Sequence, residues 1–472
     1  MAEALTLLMI YNLLFFWQAW TKPFSLATSE LLSTYFPTWI WQGREWSKWR
    51  IPKYDPYYWI NAHAHPVISS YYIPQLLCSF WPTKSLNSKF RVLVLYLIMH
   101  YIVSSIGWFS LINTWSSSSI ALLGAITLTY ASYNIKQQPC FIYTIAWFPW
   151  LLLGIATHSI LLSSISFGMI LLAGYYPIGI QATLIALGAS IWWDTPLTWV
   201  LIGTLIGLPQ LIPFFKYLPK TIRTNKHDEI GKVKLSHLWT LIFPGLNKPH
   251  NVGFWETSCY VGIVPLMLIA YSIALSPNSI SQVWILGVAS YILAMGAFSQ
   301  YLPRIPARWL WSFQFSLGWL AVSSIHHLSL DGAWVWSLLI IQGFDLWWHN
   351  RGILPSKPYC ELPNRPSFAF NTRLTRYLEG CQDRVSGLPF PLFTGHINRL
   401  KTLGYCGGMQ LKLMAKWRND TNPNGSGEHD YFRSNYDGEQ LDRARVRYAY
   451  STAPIPWEPT SLKRLYRNPR IG

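Results

Sequence analysis

Long apolar runs fill the first 349 residues of this chain and limit the folds open to it. Each run is about 15–20 residues long, the length at which a helix crosses the apolar core of a bilayer. Charged residues make up 12% of the sequence, whereas a soluble domain carries about 25%. The runs predict about eleven membrane-spanning helices, at residues 4–20, 92–112, 119–133, 142–156, 159–174, 178–193, 197–215, 259–275, 283–298, 310–324 and 335–348.

The first run, residues 4–20, is predicted to be a retained span rather than a secretory signal peptide. It follows an acidic Met-Ala-Glu start, whereas a signal peptide has a basic one, and it lacks a clear small-residue cleavage site. The runs 159–174 and 178–193 meet at the sequence GYYPIG. Gly174 and Pro177 there either turn the chain between two helices or kink a single helix.

Two regions are too polar to cross a membrane: a long first loop at residues 21–91, and the chain from residue 350 onward. We predict an all-α, polytopic membrane domain at residues 1–349, followed by a soluble C-terminal domain of mixed α/β structure at residues 350–472. The tail sequence RVRYAYSTAPI is rich in β-branched and aromatic residues, which favours a strand. The six cysteines are scattered, without a CxxC pair, and so predict neither a metal site nor a disulfide framework.

The positive charge of the chain lies in three segments. Residues 22–91 carry a net charge of +5, residues 216–257 of +4 and residues 351–472 of +9, against +17 for the whole chain. With eleven spans, these segments share one side of the membrane. The positive-inside rule assigns that side to the cytoplasm, although the rule is weak for loops as long as these.

Glu30 and Asp55 are the carboxylates of most interest, because both lie in the aromatic first loop beside the membrane. Each has a plain structural explanation: Glu30 suits the positive end of an interfacial helix, and Asp55 before a proline suits a turn. Together they also suit a sugar transferase, which needs a carboxylate to accept the proton of an acceptor hydroxyl and cations to face a lipid phosphate.

Other chemistries find less support. His63 and His65 are spaced for one face of an extended segment, but no third metal ligand has a recognisable spacing. The nucleotide-binding and hydrolase motifs that we sought do not occur in a supporting context, and the basic tail contains no recognisable nucleic-acid-binding module. Membrane lipids, anionic headgroups or a polyanionic wall polymer are the partners that the charge favours, and no nucleic acid is expected.

Several short motifs occur in order along the chain. They are Glu30 with Pro37, Gly43, IPKYDPY at 51–57, His65-Pro66, Tyr72-Ile73-Pro74, AGYYPIG at 173–179, Gln210 with Pro213, Tyr260 with Gly262 and Pro265, Arg304 with Pro306 and Arg308, and the tail segments LGYCGG and RVRYAYS…LYRNPR. This series resembles the YfhO-like bacterial membrane proteins, which belong to the GT-C class of polyprenyl-phosphate-sugar-dependent glycosyltransferases. Glu30 and Asp55 stand where that family usually has Asp and Asn.

The resemblance implies a GT-C-like fold and an inverting glycosyltransferase. Such an enzyme moves a sugar from a polyprenyl-phosphate carrier to an envelope polymer, lipid or protein. It also implies the bacterial inner membrane, with the C-terminal domain outside the cytoplasm, against the charge rule. No cofactor beyond the lipid-linked donor is expected; a divalent metal is compatible, but no ligand set is recognisable. The residue roles that follow are Glu30 as catalytic carboxylate with Asp55 assisting, Arg304, Arg308 and Lys216 as donor-phosphate ligands, and Tyr54, Tyr57, His65 and Gln210 as substrate contacts.

Three alternatives remain open. The cations can be snorkelling anchors at the membrane interface rather than phosphate ligands. The protein can be a transporter or flippase of a lipid-linked saccharide, for which broken helices or midplane acids in paired halves would be the sign; the sequence shows no such pairing. It can also be a non-catalytic scaffold for envelope assembly, which the Glu for Asp replacement at position 30 keeps open.

Overall fold

The computed structural model describes most of the apolar part of the chain and short pieces of the remainder. Helices dominate the described part. The described residues are 1–21, 31, 35–52, 54–55, 62–63, 69–79, 86–135, 139–217, 221–222, 232–243, 258–275, 282–297, 306–328, 332–351, 384–386, 401–402, 410–411 and 446–449.

Fifteen α-helices lie in the described residues. They are α1 (Ala2–Phe15), α2 (Trp17–Thr21), α3 (Phe36–Trp46), α4 (Ile73–Ser79), α5 (Leu86–Ile112), α6 (Ser118–Tyr130), α7 (Ser132–Ile135), α8 (Pro139–Ala156), α9 (Ile160–Ala173), α10 (Tyr176–Trp192), α11 (Thr198–Tyr217), α12 (Ile263–Leu275), α13 (Gln282–Ala294), α14 (Leu310–Leu328) and α15 (Gly332–Arg351). Two 3₁₀ helices, Leu235–Leu241 and Pro306–Trp309, precede α12 and α14.

The helices confirm a membrane-associated, helical protein. Within the described residues, the stretches Ser88–Ile112, Pro139–Ala156 and Thr198–Lys216 are long and apolar enough to cross a bilayer, and six shorter helices are apolar as well. A helix lies at every predicted apolar run. That all eleven runs cross the membrane stays a prediction.

Helix α8 is central to the first half of the bundle, whereas α11 is peripheral. α8 packs against α5, α9 and α10, and α11 packs mainly against α9. Both have a mean hydropathy of 1.6, yet 78% of the α8 span is buried and 22% of the α11 span. Small residues allow the close α9–α11 contact: a Cβ atom on Gly203 would lie 2.7 Å from Phe167 Cδ1.

The second half of the bundle is built around α14. α6 joins the two halves, because it packs against α5 as well as α14 and α15, and α14 packs in turn against α12 and α13. Aromatic rings fill the junction: Trp108 of α5 stacks on Phe315 of α14 with ring centroids 5.7 Å apart. The two halves therefore share one continuous core.

Short turns join many consecutive helices, so helix ends alternate between two faces of the bundle. On one face, Thr195 Oγ1 donates to the carbonyl oxygen of Ile155 over 2.8 Å and ties the α10–α11 turn to the α8–α9 turn. On the other face, Ser69 Oγ donates to the carbonyl oxygen of Ala173 over 2.6 Å and ties the first loop to the α9–α10 turn. We call this second face the loop face.

The sequence GYYPIG forms a turn between two helices, one of the two outcomes predicted for it. α9 ends at Ala173, and Gly174 takes a left-handed conformation with φ of 77°. This conformation ends many helices because glycine adopts it without a Cβ clash. Pro177 lies in the first turn of α10, where its missing N–H costs nothing.

The predicted run 4–20 is divided between α1 and α2 at Phe16, and two other predicted spans also differ from the structure. The run 119–133 was expected to be one helix, but the backbone breaks at Ala131, with φ of −52° and ψ of 141°, between α6 and α7. The run 259–275 was expected to be helical from its start, but residues 258–262 are buried and non-helical, and α12 begins at Ile263. Side chains from distant helices hold both breaks, as described below.

Short strands lie in the loops and the tail. Most of residues 350–472 fall outside the described part, so the mixed α/β domain stays a prediction, although β7 lies within the segment RVRYAYSTAPI that was predicted as a strand. The antiparallel pairs are β1 (Tyr54–Asp55) with β2 (Ala62–His63) and β3 (Thr221–Ile222) with β6 (Gln410–Leu411), and β4 (Arg384–Ser386) is parallel to both β5 (Lys401–Thr402) and β7 (Val446–Ala449).

Candidate functional site

The structure describes only part of the predicted site. Glu30, Tyr57, His65 and Arg304 lie outside the described residues. The backbones of Tyr54 and Asp55 form β1, where Tyr54 is paired with His63 and Asp55 with Ala62. The loop predicted to carry the carboxylates thus contains a two-stranded ladder, and the roles of its side chains stay predictions.

Arg308 lies at the loop face, in the 3₁₀ helix that leads into α14. Its guanidinium carbon is 5.1 Å from the centroid of the Tyr175 ring, a distance at which a cation is attracted to the ring face. Gln181 Nε2 donates to the carbonyl oxygen of Arg308 over 3.3 Å, and Ser312 Oγ donates to Gln181 Oε1 over 2.7 Å. These contacts fix the backbone of a half-buried arginine.

The α9–α10 turn also brings Gln210 toward this arginine. Tyr176, the neighbour of Tyr175, donates its hydroxyl to the carbonyl oxygen of Gln210 over 3.2 Å. Gln210 is buried, and Lys216 is exposed in the last turn of the same helix, α11. Three separate sequence motifs therefore meet at one turn, with Tyr175 and Tyr176 between them.

The end of the first loop is anchored close to this turn. Besides the Ser69 contact to α9, Tyr72 is held by two partners: its hydroxyl lies 2.8 Å from Nε2 of His100, and Trp147 Nε1 donates to it over 2.5 Å. His100 Nδ1 lies 2.7 Å from the carbonyl oxygen of Tyr96. A carbonyl oxygen can only accept, so Nδ1 carries the proton and Nε2 accepts from Tyr72.

A second polar site lies inside the bundle, around the non-helical residues 258–262. Their carbonyl oxygens accept hydrogen bonds from other segments. The carbonyl oxygen of Tyr260 accepts from Ser132 N over 2.9 Å and from Gln314 Nε2 over 2.7 Å. That of Val261 accepts from Gln342 Nε2 over 2.8 Å. Non-helical backbone is tolerated among membrane helices only where such partners exist.

Asp345 of α15 is the carboxylate of this inner site. Both its oxygens lie 2.6 Å from the Tyr260 hydroxyl, and Oδ2 accepts the Ile263 N–H over 3.0 Å. Its charge therefore faces the positive N-terminal end of α12. His349 Nε2 is 3.3 Å from Oδ1. The Tyr260 hydroxyl is the donor in its contact with this carboxylate.

No role was predicted for Asp345, which was expected to reach water at the end of a span. In the structure α15 continues to Arg351, and Asp345, whose side chain is 14% exposed, has protein partners. The sequence did contain a signal, because Gln342, Asp345 and His349 are three and four residues apart and so lie on one helix face.

The break between α6 and α7 is capped by amide side chains. Asn134 Nδ2 donates to the carbonyl oxygen of Leu128 over 2.7 Å, and Asn350 Nδ2 donates to that of Tyr130 over 2.8 Å. These bonds satisfy carbonyl groups that a helix end leaves open. The break is thus stabilised by specific hydrogen bonds, and it contacts the inner site because Ser132 N donates to the carbonyl oxygen of Tyr260.

The described residues hold no group of three or more His, Cys, Asp or Glu side chains that could bind a metal ion. No protein-family model matches the chain, and no curated protein matches it significantly.

Proposed function

We propose that this protein is an integral membrane glycosyltransferase of the YfhO-like, GT-C type, which moves a sugar from a polyprenyl-phosphate carrier to a cell-envelope acceptor. The observation that supports this proposal most is the position of Arg308. It lies half-buried at the loop face, over Tyr175, beside the anchored end of the loop that carries Glu30 and Asp55.

A guanidinium at this place suits a lipid phosphate. Arginine presents a planar set of donors that can bind a phosphate through two charge-assisted hydrogen bonds. Partial burial strengthens such bonds, because the local dielectric constant is lower than that of water. Arg304 and Lys216 would add positive charge at the same phosphate, and Gln210, Tyr54, Tyr57 and His65 would contact the sugar or the acceptor.

The reaction is a single displacement at the anomeric carbon. The acceptor hydroxyl oxygen forms the new bond to this carbon as the bond to the carrier phosphate breaks, and the polyprenyl phosphate leaves with the electron pair. The hydroxyl proton passes to the Glu30 carboxylate, with Asp55 assisting. Configuration is inverted because the acceptor attacks the face opposite the leaving phosphate.

The polyprenyl-phosphate donor also indicates in which membrane, and in which orientation, the protein would act. The proposed setting is the bacterial inner membrane with the loop face and the C-terminal domain outside the cytoplasm, where this class of donor is used. A reporter fused at Gly472 tests it: activity only in the cytoplasm would reverse the orientation in favour of the charge rule.

The enzymatic test is sugar transfer from a polyprenyl-phosphate donor by purified protein in nanodiscs, across a panel of envelope acceptors. Glu30→Gln should lower the transfer rate by about 10²–10⁴ and leave donor binding intact. Arg308→Ala should weaken donor binding. Arg50→Ala is the matched control, because Arg50 is an exposed arginine just after α3 and should behave as the unmutated protein. Full activity in Glu30→Gln would remove Glu30 from the mechanism.

A second candidate function, transport of a lipid-linked saccharide, is favoured by the inner site. Asp345 of α15 contacts Tyr260 and Ile263 at the non-helical residues 258–262, and intramembrane acids and broken helices mark transport pathways in other membrane proteins. Translocation into proteoliposomes that Asp345→Asn abolishes and Glu30→Gln leaves unchanged would favour transport. Donor binding without turnover or translocation would leave the scaffold alternative.

A further inference from the structure

A small cavity lies inside the bundle beside the α6–α7 break, and it shares Gln314 with the inner site. Its polar lining comes from Ser104 of α5, Asn134 of α7 and Gln314 of α14, and its aromatic lining includes Trp108, Trp311 and Phe315. The three polar residues are buried, with exposures of 3%, 6% and 3%. Three segments that are distant in sequence thus place polar residues around one space.

The orientation of the two amides is fixed by their other ends. Asn134 Nδ2 donates to the carbonyl oxygen of Leu128, and Gln314 Nε2 donates to that of Tyr260. Reversing either amide would set its oxygen against a carbonyl oxygen, so these assignments follow from the network. The amide oxygens Asn134 Oδ1 and Gln314 Oε1 are consequently the free ends. Both are buried without a hydrogen-bond partner among the described residues.

The polar groups that line the cavity determine which kind of ligand it can bind. Two acceptors require a ligand with two donors, and the Ser104 hydroxyl can donate to that ligand in return. Each amide is polarised by its bond to a backbone carbonyl, which strengthens the acceptor at its other end. Divalent cations take about six or more oxygen ligands, whereas the cavity offers three side-chain oxygens and no carboxylate. A bare monovalent charge in so apolar a place would be poorly compensated.

We propose that this cavity is a binding site for one water molecule, which donates to Asn134 Oδ1 and Gln314 Oε1 and accepts from the Ser104 hydroxyl. Buried waters of this kind make about three hydrogen bonds to polar groups that the protein itself does not pair. This water connects Asn134, which caps α6, to Gln314, which binds the carbonyl oxygen of Tyr260. Each amide binds the water through its oxygen and a backbone carbonyl through its nitrogen.

The decisive variant is Ser104→Val, because filling the cavity has opposite effects in the two cases. If the cavity holds the proposed water, valine displaces it and leaves the two buried amide oxygens without a hydrogen-bond donor. The melting temperature of the purified protein should then fall by a few degrees. If the cavity is dry, valine fills it and should raise the melting temperature. Ser104→Ala should lower it only slightly, because alanine leaves the water in place. A melting temperature for Ser104→Val equal to or above that of the unmutated protein overturns the proposal.

Two further measurements guard against a fall caused by overpacking alone. A cryo-EM map that resolves other buried waters should show a density peak within about 3.2 Å of both amide oxygens, and this peak should be lost in Ser104→Val. A map without the peak in the unmutated protein overturns the proposal. Melting temperatures in sodium, potassium and choline chloride at equal ionic strength should agree. Stabilisation by one cation that is lost in Ser104→Val would assign the cavity to that cation instead.

Discussion

Arg308 and Asp345 are opposite charges held in different ways. Arg308 lies half-buried at the loop face, with the Tyr175 ring beside its guanidinium. Asp345 is 14% exposed and accepts hydrogen bonds from a tyrosine hydroxyl and a backbone amide, beside a histidine. A charge beside water can exchange its partners for a ligand, whereas a charge inside the bundle must be satisfied by the protein. The first is suited to binding and the second to holding the structure.

Removing the Asp345 carboxylate tests whether this aspartate holds the structure. Asp345→Ala should lower the free energy of unfolding by about 3 kcal/mol, because a buried hydroxyl and the first amide of α12 lose a charged acceptor. His349→Ala is the control: its side chain is 36% exposed, and such a pair contributes less than about 1 kcal/mol. Thermal unfolding in detergent measures both. Equal melting temperatures for the two variants would contradict the structural role of Asp345.

A substitution at Gly262 tests the structural role of the inner site in a second way. Gly262 has φ of 99°, and a Cβ atom there would collide with the Gln342 side chain. Gly262→Ala should therefore lower the free energy of unfolding by about 2 kcal/mol, because the alanine is strained at positive φ and because it displaces the Gln342 side chain from the Val261 carbonyl. In a Gln342→Ala background the collision disappears and the φ strain remains, so the cost should shrink without vanishing. Additive melting shifts would show that Gly262 and Gln342 do not interact.

The binding half of the comparison is tested by Arg308→Lys. Lysine keeps the charge but loses the planar donor set and its stacking on the Tyr175 ring. We expect affinity for a polyprenyl phosphate to fall about tenfold, which is about 1.4 kcal/mol, while the melting temperature stays close to that of the unmutated protein. Tyr175→Phe keeps a ring beneath the guanidinium and should bind nearly normally. A loss of stability without a loss of affinity would make Arg308 a structural residue like Asp345.

The same two sites show how far the sequence could lead. The helices at the apolar runs and the turn at Gly174 were predictable, because run length, glycine and proline act locally. Arg308 and Gln210 were predicted through an ordered set of motifs, and the structure brings both to the α9–α10 turn. The breaks before Ser132 and before Ile263 were missed, because each is held in part by an amide side chain far away in sequence, Asn350 at the first and Gln342 at the second.

Asp345 was missed for the same reason. Its partner Tyr260 is 85 positions away in the chain, so only the fold reveals that the carboxylate is satisfied. Local sequence shows where a charged residue lies, but it does not show which group forms a hydrogen bond or an ion pair with it. The partners of an interior charge are therefore visible only in the fold, and the roles predicted for the loop-face residues stay predictions.

A histidine beside the inner site offers a subtler test: the 3₁₀ helix Leu235–Leu241 contacts residues 258–262 through Thr240 Oγ1 and Cys259 Sγ, 3.1 Å apart. His237 Nδ1 accepts the Lys234 N–H over 2.8 Å, so this imidazole is neutral. Burial, and to a lesser extent the Lys234 charge, lower the pKa of His237 from its ordinary value of 6.5.

The sign of the pH effect follows from that lowered pKa. Between the folded pKa and 6.5 the unfolded chain binds a proton at His237 that the folded chain does not, so stability rises with pH in this window. The contribution is complete above about pH 6.5 and is lost as the pH falls through the folded pKa. His237→Asn keeps an acceptor near the position of Nδ1 without titrating. Its melting temperature should therefore fall less than that of the unmutated protein between about pH 7 and pH 5, and parallel curves would show that His237 does not couple the surface to the interior.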